Sequence, residues 1–276
     1  MPELPEVEQV RRTLSAHLMG QKISAVRIFH PERVFFLSPV EFRKALTDGK
    51  VKKLARRGKC LLLQLDNQRT ALVGLGMTGR FAVEPSLEPL DYLVAAFALG
   101  HGRYVKLYDV RRFCRLSAAD SSRLEQHPFL AGLGWEFDDR KLTPKVLRKE
   151  LGRFRSKSIK EVLLDQAVIA GIGNIYANEI LHVARINPQK EARELTAEEC
   201  GVLLGTARKL LQRAIELGGT TVRDFRDSEG KEGRYASELR VYLREGQPCL
   251  RCGKDSLIER IIQGGRSTFF CPRCQT

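Results

Sequence analysis

The sequence predicts an α+β protein of more than one domain, in which antiparallel β-sheets come first and helices follow. Three observations support this prediction. Short β-like runs fill residues 22–116, helical patterns dominate after about Pro128, and four cysteines lie within the last 28 residues. A length of 276 residues suits two domains and leaves ample chain for a buried core.

The first element is a helix over residues 5–18. Its apolar side chains recur at helical spacing and form one stripe: Val7, Val10, Leu14 and Leu18. Pro5 suits the first turn, where its missing N–H costs nothing. Glu3 and Glu6 are then expected near the positive end of the helix, beside the amino end of the chain.

Residues 22–116 predict antiparallel sheets packed face to face. Short runs with β-like composition alternate there with glycine and charged turns: 23–28, 60–65, 70–75, 92–99 and 104–108. The region lacks the strand–helix alternation that a parallel sheet requires.

Three helices are predicted in the following region: 158–164, 174 to about 184, and 197 to about 217. Ser158 with Glu161, and Thr196 with Glu199, match capping boxes at two of their starts. Gly218-Gly219 ends the third helix. We divide the chain into three domains on this basis: residues 1–133, 134–238 and 239–276.

The charge of the chain indicates a polyanionic partner. Lysine and arginine number 47 against 33 acidic residues, a net charge of +14. No long basic amphipathic helix suggests a membrane surface, so nucleic acid is the favoured partner. The sequence has neither an apolar run of membrane-spanning length nor a secretory signal pattern, and we expect cytoplasmic residence.

The amino end carries a candidate nucleophile. Pro2 has a small side chain, so we expect Met1 to be removed, which leaves a secondary amine that titrates near pH 8. Such an amine can attack a sugar carbon and form a charged iminium, and Glu3 and Glu6 are available to move protons. Alternatively, Pro2 and Pro5 merely shape the start of the helix.

The cysteines fall into two groups. Cys60, Cys114 and Cys200 are scattered singly, and we expect them to be reduced, partly buried thiols. The remaining four form two Cys-x-x-Cys pairs separated by 18 residues, the spacing of a structural four-thiolate zinc site: Cys249, Cys252, Cys271 and Cys274. Two disulfides are the alternative.

Two glycine-containing segments predict phosphate binding. Arg266 lies at the glycine-rich tip of the hairpin between the two cysteine pairs, and residues 171–174 lead into a helix whose free N–H groups can bind a phosphate. Arg155, Lys157 and Lys160 add positive charge just upstream. An ordinary turn and a purely structural helix-turn-helix are the alternatives.

Three further segments carry candidate contacts. Lys59 closes a basic run that begins at Lys52, and we expect it to point into a site. Met77 and Phe113 lie in two short loops, and with Arg111 they could fill the gap that an extruded nucleotide leaves in a duplex. Alternatively, Met77 and Phe113 are core residues.

Six motifs in this order resemble a bacterial formamidopyrimidine-DNA glycosylase over essentially the whole chain. They are residues 2–6, 56–59, 75–79, 109–113, 171–177 and 265–275. Leu4 favours this family over its endonuclease VIII relatives, which usually carry glycine at that position.

The resemblance implies a fold and a reaction. An amino-terminal β-sandwich flanked by helices would precede a helix–two-turn–helix domain and a zinc finger, with DNA held between the two halves. The protein would act as a monomer, associated with the nucleoid. It would be a bifunctional glycosylase and abasic-site lyase that excises oxidised purines such as 8-oxoguanine and formamidopyrimidines.

The resemblance also implies a role for each matching residue. Pro2 would attack C1′, Glu3 would act as the acid/base, and Glu6 would support them. Lys59 and Arg266 would contact phosphates at the lesion and assist proton transfer and elimination. The remaining residues would bind the DNA backbone or fill the vacated stack: Asn174, Arg155, Lys160, Met77, Arg111 and Phe113. A lid over the flipped purine would span residues 219–235.

The chain departs from the family pattern at three places. Gly74 stands where histidine is usual, Leu90-Asp91-Tyr92 replaces a His-Asp-His stretch, and Cys114 replaces a glycine. Two other functions therefore stay open: the same enzyme type acting on oxidised pyrimidines, and a damaged-DNA-binding protein without catalysis.

Overall fold

The computed structural model describes residues 2–88 and 91–276, and the chain forms two compact units. The first unit comprises the chain up to Gly132 together with Ile215–Ala236. The second unit comprises Leu133–Ala214 and Ser237–Thr276. The predicted division into three domains stays a prediction, and Met1 and Leu90 lie outside the described residues.

The described residues of the first unit form two four-stranded antiparallel sheets and two α-helices, as predicted for its fold class. Its elements in chain order are α1 (Leu4–Leu18), β1 (Ala25–Ile28), α2 (Pro39–Leu46), β2 (Val51–Arg57), β3 (Cys60–Leu65), β4 (Arg69–Gly74), β5 (Arg80–Glu84), β6 (Leu93–Ala98), β7 (Tyr104–Tyr108) and β8 (Arg115–Asp120). One sheet has the order β1-β6-β7-β5, and the other has the order β2-β3-β4-β8.

The core of the first unit joins α1 to both sheets. The predicted stripe of α1 is fully buried and packs in one cluster with inward side chains of β3 and β7, among them Leu61 and Leu107. Burial of such apolar side chains is the main driving force that holds helix and sheets together. The sequence did not predict α2, which begins at a Ser38–Glu41 capping box.

The second unit consists of four helices and two small hairpins. Its elements are α3 (Pro144–Leu151), α4 (Ile159–Leu163), α5 (Asn174–Ala184), α6 (Ala197–Glu216), β9 (Pro248–Cys249), β10 (Gly253–Leu257), β11 (Glu259–Gln263) and β12 (Arg266–Phe270). The three predicted helices and both capping boxes are confirmed, whereas α3 was not predicted.

The three scattered cysteines are all buried free thiols. Burial raises the pKa of Cys60 to about 12 and, with smaller effects of neighbouring charges, the pKa of Cys200 to about 11. Burial and the nearby Asp109 carboxylate also raise the pKa of Cys114. A separate property concerns membranes: none of the helices among the described residues is both long and apolar enough to cross a bilayer.

Candidate functional site

Sheet register gathers three loops at one end of the first unit. Cys60 pairs with Gly74, and Gly74 pairs with Arg115, so the turns that flank these residues lie side by side. The turn between β2 and β3 is Gly58–Lys59, with Gly58 at φ +55°. The loop after β4 carries Met77, and the loop before β8 carries Arg111 and Phe113.

The amino end of the chain lies at this same end. Arg11 Nη1 donates to the Leu54 carbonyl at 3.3 Å, and Glu8 Oε2 lies 3.8 Å from Arg56 Nε. Later residues of α1 thus contact earlier residues of β2, so the two elements are antiparallel. The start of α1, with the buried Pro2 and Glu3, therefore lies at the end where Lys59 forms its turn.

Glu6 connects the amino end to the predicted lid. Its Oε2 accepts a hydrogen bond of 2.7 Å from the Glu3 amide, and its Oε1 accepts one of 2.7 Å from the Thr220 amide. The side chain is 1% exposed. Gly219 has φ +85°, and a Cβ there would lie 2.8 Å from Glu6 Oε1, so the close approach requires glycine.

The predicted lid, residues 219–235, is also attached further along the polar face of α1. Gln9 Nε2 donates to Asp227 Oδ2 at 3.1 Å, and Ser228 donates to the Thr13 hydroxyl at 2.7 Å. His17 Nε2 lies 3.7 Å from Glu229 Oε1. The α1 residues that make these contacts recur every three or four positions, which places them on one side of the helix: Glu6, Gln9, Thr13 and His17.

Met77, Arg111 and Phe113 form one exposed cluster. Arg111 Nη1 lies 3.2 Å from the Met77 sulfur, and its guanidinium carbon lies 4.8 Å from the centre of the Phe113 ring. Met77 is 39% exposed and Phe113 is 49% exposed, so the alternative that they are core residues is wrong. Gly76 permits the close approach of the loops, since a Cβ there would lie 2.7 Å from the Phe113 carbonyl.

Asp109 holds this cluster together, a function that sequence reasoning missed. One carboxylate oxygen accepts from the Thr78 hydroxyl and from the Arg111 amide, at 2.5 Å and 3.2 Å. The other accepts from the amides of Phe113 and Cys114, at 2.7 Å and 2.6 Å. Asp109 is fully buried. Its place between the two loops depends on strand pairing, which no local pattern reveals.

In the second unit, the structure brings together three predicted DNA-contact residues. Lys160 Nζ and Asn174 Nδ2 both donate to the carbonyl of Ser267, at 2.9 Å and 3.0 Å. Ser267 directly follows the exposed Arg266. Gln263 Nε2, on the other strand of the hairpin, donates to the Ser158 hydroxyl at 3.0 Å. These bonds fix the hairpin tip to α4 and α5.

Lys160 lies beneath this hairpin. Its side chain is fully buried, and it also donates to the Thr268 hydroxyl at 2.7 Å. Burial, with a further contribution from the Arg266 charge, lowers the pKa of Lys160 to about 8. A direct contact between Lys160 and a DNA phosphate would require this ammonium group to be uncovered, whereas Arg155 is exposed.

The four carboxy-terminal cysteines form a compact cluster. Their sulfur atoms all lie within 4.8 Å of one another, with 3.9 Å between Cys249 and Cys274 and 3.8 Å between Cys252 and Cys271. A tetrahedral zinc ion with Zn–S bonds of about 2.3 Å requires sulfur atoms roughly 3.8 Å apart. All four are free cysteines, so the alternative of two disulfides is wrong.

Two buried residues of α5 support this cluster and were not predicted. His182 Nε2 lies 3.6 Å from the Cys249 sulfur. The Glu179 carboxylate accepts three backbone N–H bonds of 2.8–2.9 Å from residues 240–242, which precede the zinc hairpins. Burial raises the pKa of Glu179. Their helical positions alone gave no signal of these long-range contacts.

The departures from the family pattern have distinct environments. A Cβ at Gly74 would meet its nearest neighbour at 3.8 Å, an ordinary contact, so the position has room for a side chain. Cys114 is fully buried beside Asp109. Tyr92 is 48% exposed and has φ +69°. Leu90 is not among the described residues.

Comparisons with known proteins identify related sequences for each part of the chain. Residues 1–116 match the family described as the formamidopyrimidine-DNA glycosylase N-terminal domain, and residues 133–226 match its H2TH domain. Residues 246–276 match a zinc finger found in FPG and IleRS. This match, with the cluster geometry, identifies the four cysteines as a structural zinc site.

Full-length relatives carry a consistent name. A formamidopyrimidine-DNA glycosylase of Pelotomaculum thermopropionicum is 44% identical, and the match covers 100% of this chain and 99% of the relative. One of Novosphingobium aromaticivorans is 41% identical, with 100% of both chains covered. A crystal structure of a Lactococcus lactis FPG mutant with Fapy-dG containing DNA has a TM-score of 0.91 at 32% identity, covering 100% of both chains.

These matches extend over the whole chain and agree with the order of elements, the capped helices of the second unit and the four-cysteine cluster. The chain belongs to the formamidopyrimidine-DNA glycosylase family.

Proposed function

We propose that this protein is a DNA glycosylase of base excision repair that also cleaves the resulting abasic site, acting on oxidised purines such as 8-oxoguanine and formamidopyrimidines. The observation that carries the proposal is the gathering of the amino end, Lys59 and the Met77–Arg111–Phe113 cluster at one end of the first unit. Its partner is double-stranded DNA with oxidised bases or abasic sites, and it acts in the cytoplasm on the nucleoid.

The exposed cluster suits a damaged duplex. Met77 and Phe113 supply apolar surface that can enter the base stack, and Arg111 supplies donors for the base left unpaired. Extrusion of a nucleotide costs a few kcal/mol, and least where the base is already poorly stacked or paired. The lesion can thus be selected before any bond breaks.

The chemistry begins at Pro2. Its secondary amine, after loss of Met1, forms a bond to C1′ as the bond from C1′ to the base breaks, and the base leaves with the electron pair and takes up the proton that the amine loses. Glu3 protonates the ring oxygen, the sugar opens, and a C1′ iminium results. The iminium acidifies the C2′ protons, so elimination breaks the strand on the 3′ side and then on the 5′ side.

The other predicted residues position the DNA. Lys59, in the turn beside the amino end, contacts phosphate at the lesion and assists proton transfer, and Glu6 holds the Glu3 backbone. Arg266, Asn174 and Arg155 contact phosphates in the second unit, where contacts of this kind position a protein without reading sequence. The zinc ion holds the hairpin that carries Arg266 and takes no part in the chemistry.

Borohydride trapping tests the proposal. The full chain, with removal of Met1 verified by mass, is incubated with an 8-oxoguanine duplex and reduced. We expect a covalent protein–DNA adduct, and we expect none with Pro2→Gly. Absence of the adduct with the processed wild-type protein overturns the proposal, because reduction should capture any iminium.

Two further assays decide the two alternatives. A protein that only binds damage predicts tight binding to abasic-site DNA without cleavage, so cleavage that Glu3→Gln abolishes excludes it. A preference for oxidised pyrimidines is worth testing because a structurally similar Lactococcus lactis protein was solved with oxidised pyrimidine containing DNA. Comparing the excision of 8-oxoguanine and of thymine glycol from otherwise identical duplexes distinguishes the substrates.

A further inference from the structure

Phe36 combines unusual exposure with an unusual backbone. Its side chain is 64% exposed, and its φ of +69° lies in the left-handed region that bulky residues rarely adopt. The ring packs edge-on against His127 and Phe129, with centroid distances of 5.5 Å and 5.6 Å. An outlier of this kind persists where the surrounding structure holds it, often at functional sites.

Two arginines lie near the ring of Phe35, the residue that precedes Phe36. The guanidinium carbons of Arg33 and Arg115 lie 5.9 Å and 5.6 Å from the Phe35 ring centre, and the Phe35 and Phe36 rings are 6.4 Å apart. Phe35 is fixed to β8, since its amide donates to the Leu116 carbonyl at 2.9 Å. We call Arg33, Phe35, Phe36 and Arg115 the aromatic–arginine surface.

This surface is continuous with the loop that carries Arg111 and Phe113. Arg33 Nη1 donates to the backbone carbonyl of Arg112, within that loop. The acidic neighbour, Glu32, accepts from His30 at 3.2 Å and lies 3.8 Å from Arg33 Nε. The Arg33 side chain thus links the aromatic–arginine surface to the loop of the proposed DNA-inserting cluster.

We propose that the aromatic–arginine surface binds the DNA that flanks the lesion, with Phe36 packed on a sugar or base face and the arginines on phosphates. The proposal rests on the proposed function, because continuity with the inserting cluster identifies the occupant as the same duplex. Positive charge beside exposed aromatic rings is the combination by which proteins bind nucleic acid without reading sequence. Arginine also stacks favourably on such rings.

Variants at position 36 test the ring. Phe36→Gly suits the positive φ and removes the ring, so the fold should keep its thermal midpoint while affinity falls. We expect Kd for an abasic-site duplex to rise at least about fivefold. Phe36→Trp should keep Kd within about twofold, since the larger ring preserves the stacking face. Its fluorescence should change on DNA binding relative to the parent, whose one tryptophan is Trp135.

Arg115→Ala tests the charge. We expect the slope of log Kd against log salt to decrease by about 1, as for the loss of one phosphate contact. Arg27→Ala, on the exposed face of β1, is the matched control and should lower affinity and slope less. Single-turnover cleavage at saturating protein should be unchanged in Arg27→Ala, whereas Pro2→Gly should bind without cleaving.

Two results would overturn this inference: a Phe36→Gly protein that binds DNA as tightly as the parent, or equal losses in Arg115→Ala and Arg27→Ala. Tight DNA binding by Phe36→Gly together with capture of a protein partner by the parent alone would assign the surface to that partner instead. Failure of the proposed function would appear differently, as absent cleavage in the parent.

Discussion

The carboxylate of Glu6 accepts the backbone amide of Thr220 at 2.7 Å, and its second oxygen accepts the amide of Glu3 at the same distance. One buried side chain therefore holds both the segment predicted to cover the flipped base and the residue predicted to move protons. Because both oxygens are occupied, Glu6 is suited to position its neighbours rather than to exchange a proton itself.

Gly219→Ala should disturb this connection. A Cβ would lie 2.8 Å from Glu6 Oε1, while Gly230, with φ +80°, has nothing within 4 Å of its Cβ position. Gly230→Ala thus carries a similar backbone strain, of about 1 kcal/mol, without the clash. We expect excision of 8-oxoguanine to fall on the order of tenfold more in Gly219→Ala, for a further loss of about 1.4 kcal/mol. Equal single-turnover rates in the two variants would contradict the positioning by Glu6.

Asp109→Asn should loosen the inserting cluster. Asparagine keeps one oxygen and replaces the other with an NH₂ group, which cannot accept a hydrogen bond. The fold therefore loses either the two bonds from the Phe113 and Cys114 amides or the two bonds from the Thr78 hydroxyl and the Arg111 amide. Leaving buried donors unsatisfied costs about 1–3 kcal/mol, measurable by urea unfolding. Binding of lesion DNA should weaken in parallel. Thr78→Ser, which keeps a hydroxyl, is the control, and a fully stable Asp109→Asn protein would refute this account.

The buried ammonium of Lys160 should make stability depend on alkaline pH. Its pKa is lowered from 10.5 to about 8 in the folded protein, so the unfolded chain binds more protons between these values. The free energy of unfolding should therefore rise as pH increases through this window, by up to about 1.4 kcal/mol per pH unit. Lys160→Met should lack this part of the rise. Parallel pH profiles for the two proteins, measured by urea unfolding, would show that the ammonium is solvated.

Removal of zinc should abolish DNA binding. Without the ion, no bond holds the four sulfur atoms of the cluster together, and the hairpin that carries Arg266 loses its support. The first unit has its own core and should keep its protease resistance. Cys271→Ser should reproduce the effect of a chelator, and Cys200→Ser, outside the cluster, should not. DNA binding by metal-free protein would refute this prediction.

Local signals in the sequence predicted much of the fold. The α1 stripe, the capping boxes and the Cys-x-x-Cys pairs depend on residues a few positions apart, and each was confirmed. The functions of Asp109, Glu179 and Lys160 depend on partners that tertiary folding brings close. Lys160 shows the difference clearly, because the resemblance implied that it contacts the DNA backbone, while the fold encloses it beneath Ser267.

The helix α2 was missed for a related reason. It lies in a region whose overall composition favours strands, and its eight residues are too few for a clear helical period. The motifs at Met77 and Phe113 identified residues but not their arrangement, which follows from the pairing of β3, β4 and β8.

The enclosed thiols of Cys60, Cys114 and Cys200 bear on the conditions in which such an enzyme must work. Peroxide reacts with thiolates. The raised pKa values of these three buried thiols keep them protonated far above neutral pH, so few thiolates are present to react. The catalyst would thus withstand the same oxidants that damage its substrate, with the metal-bound sulfur atoms as its most vulnerable point.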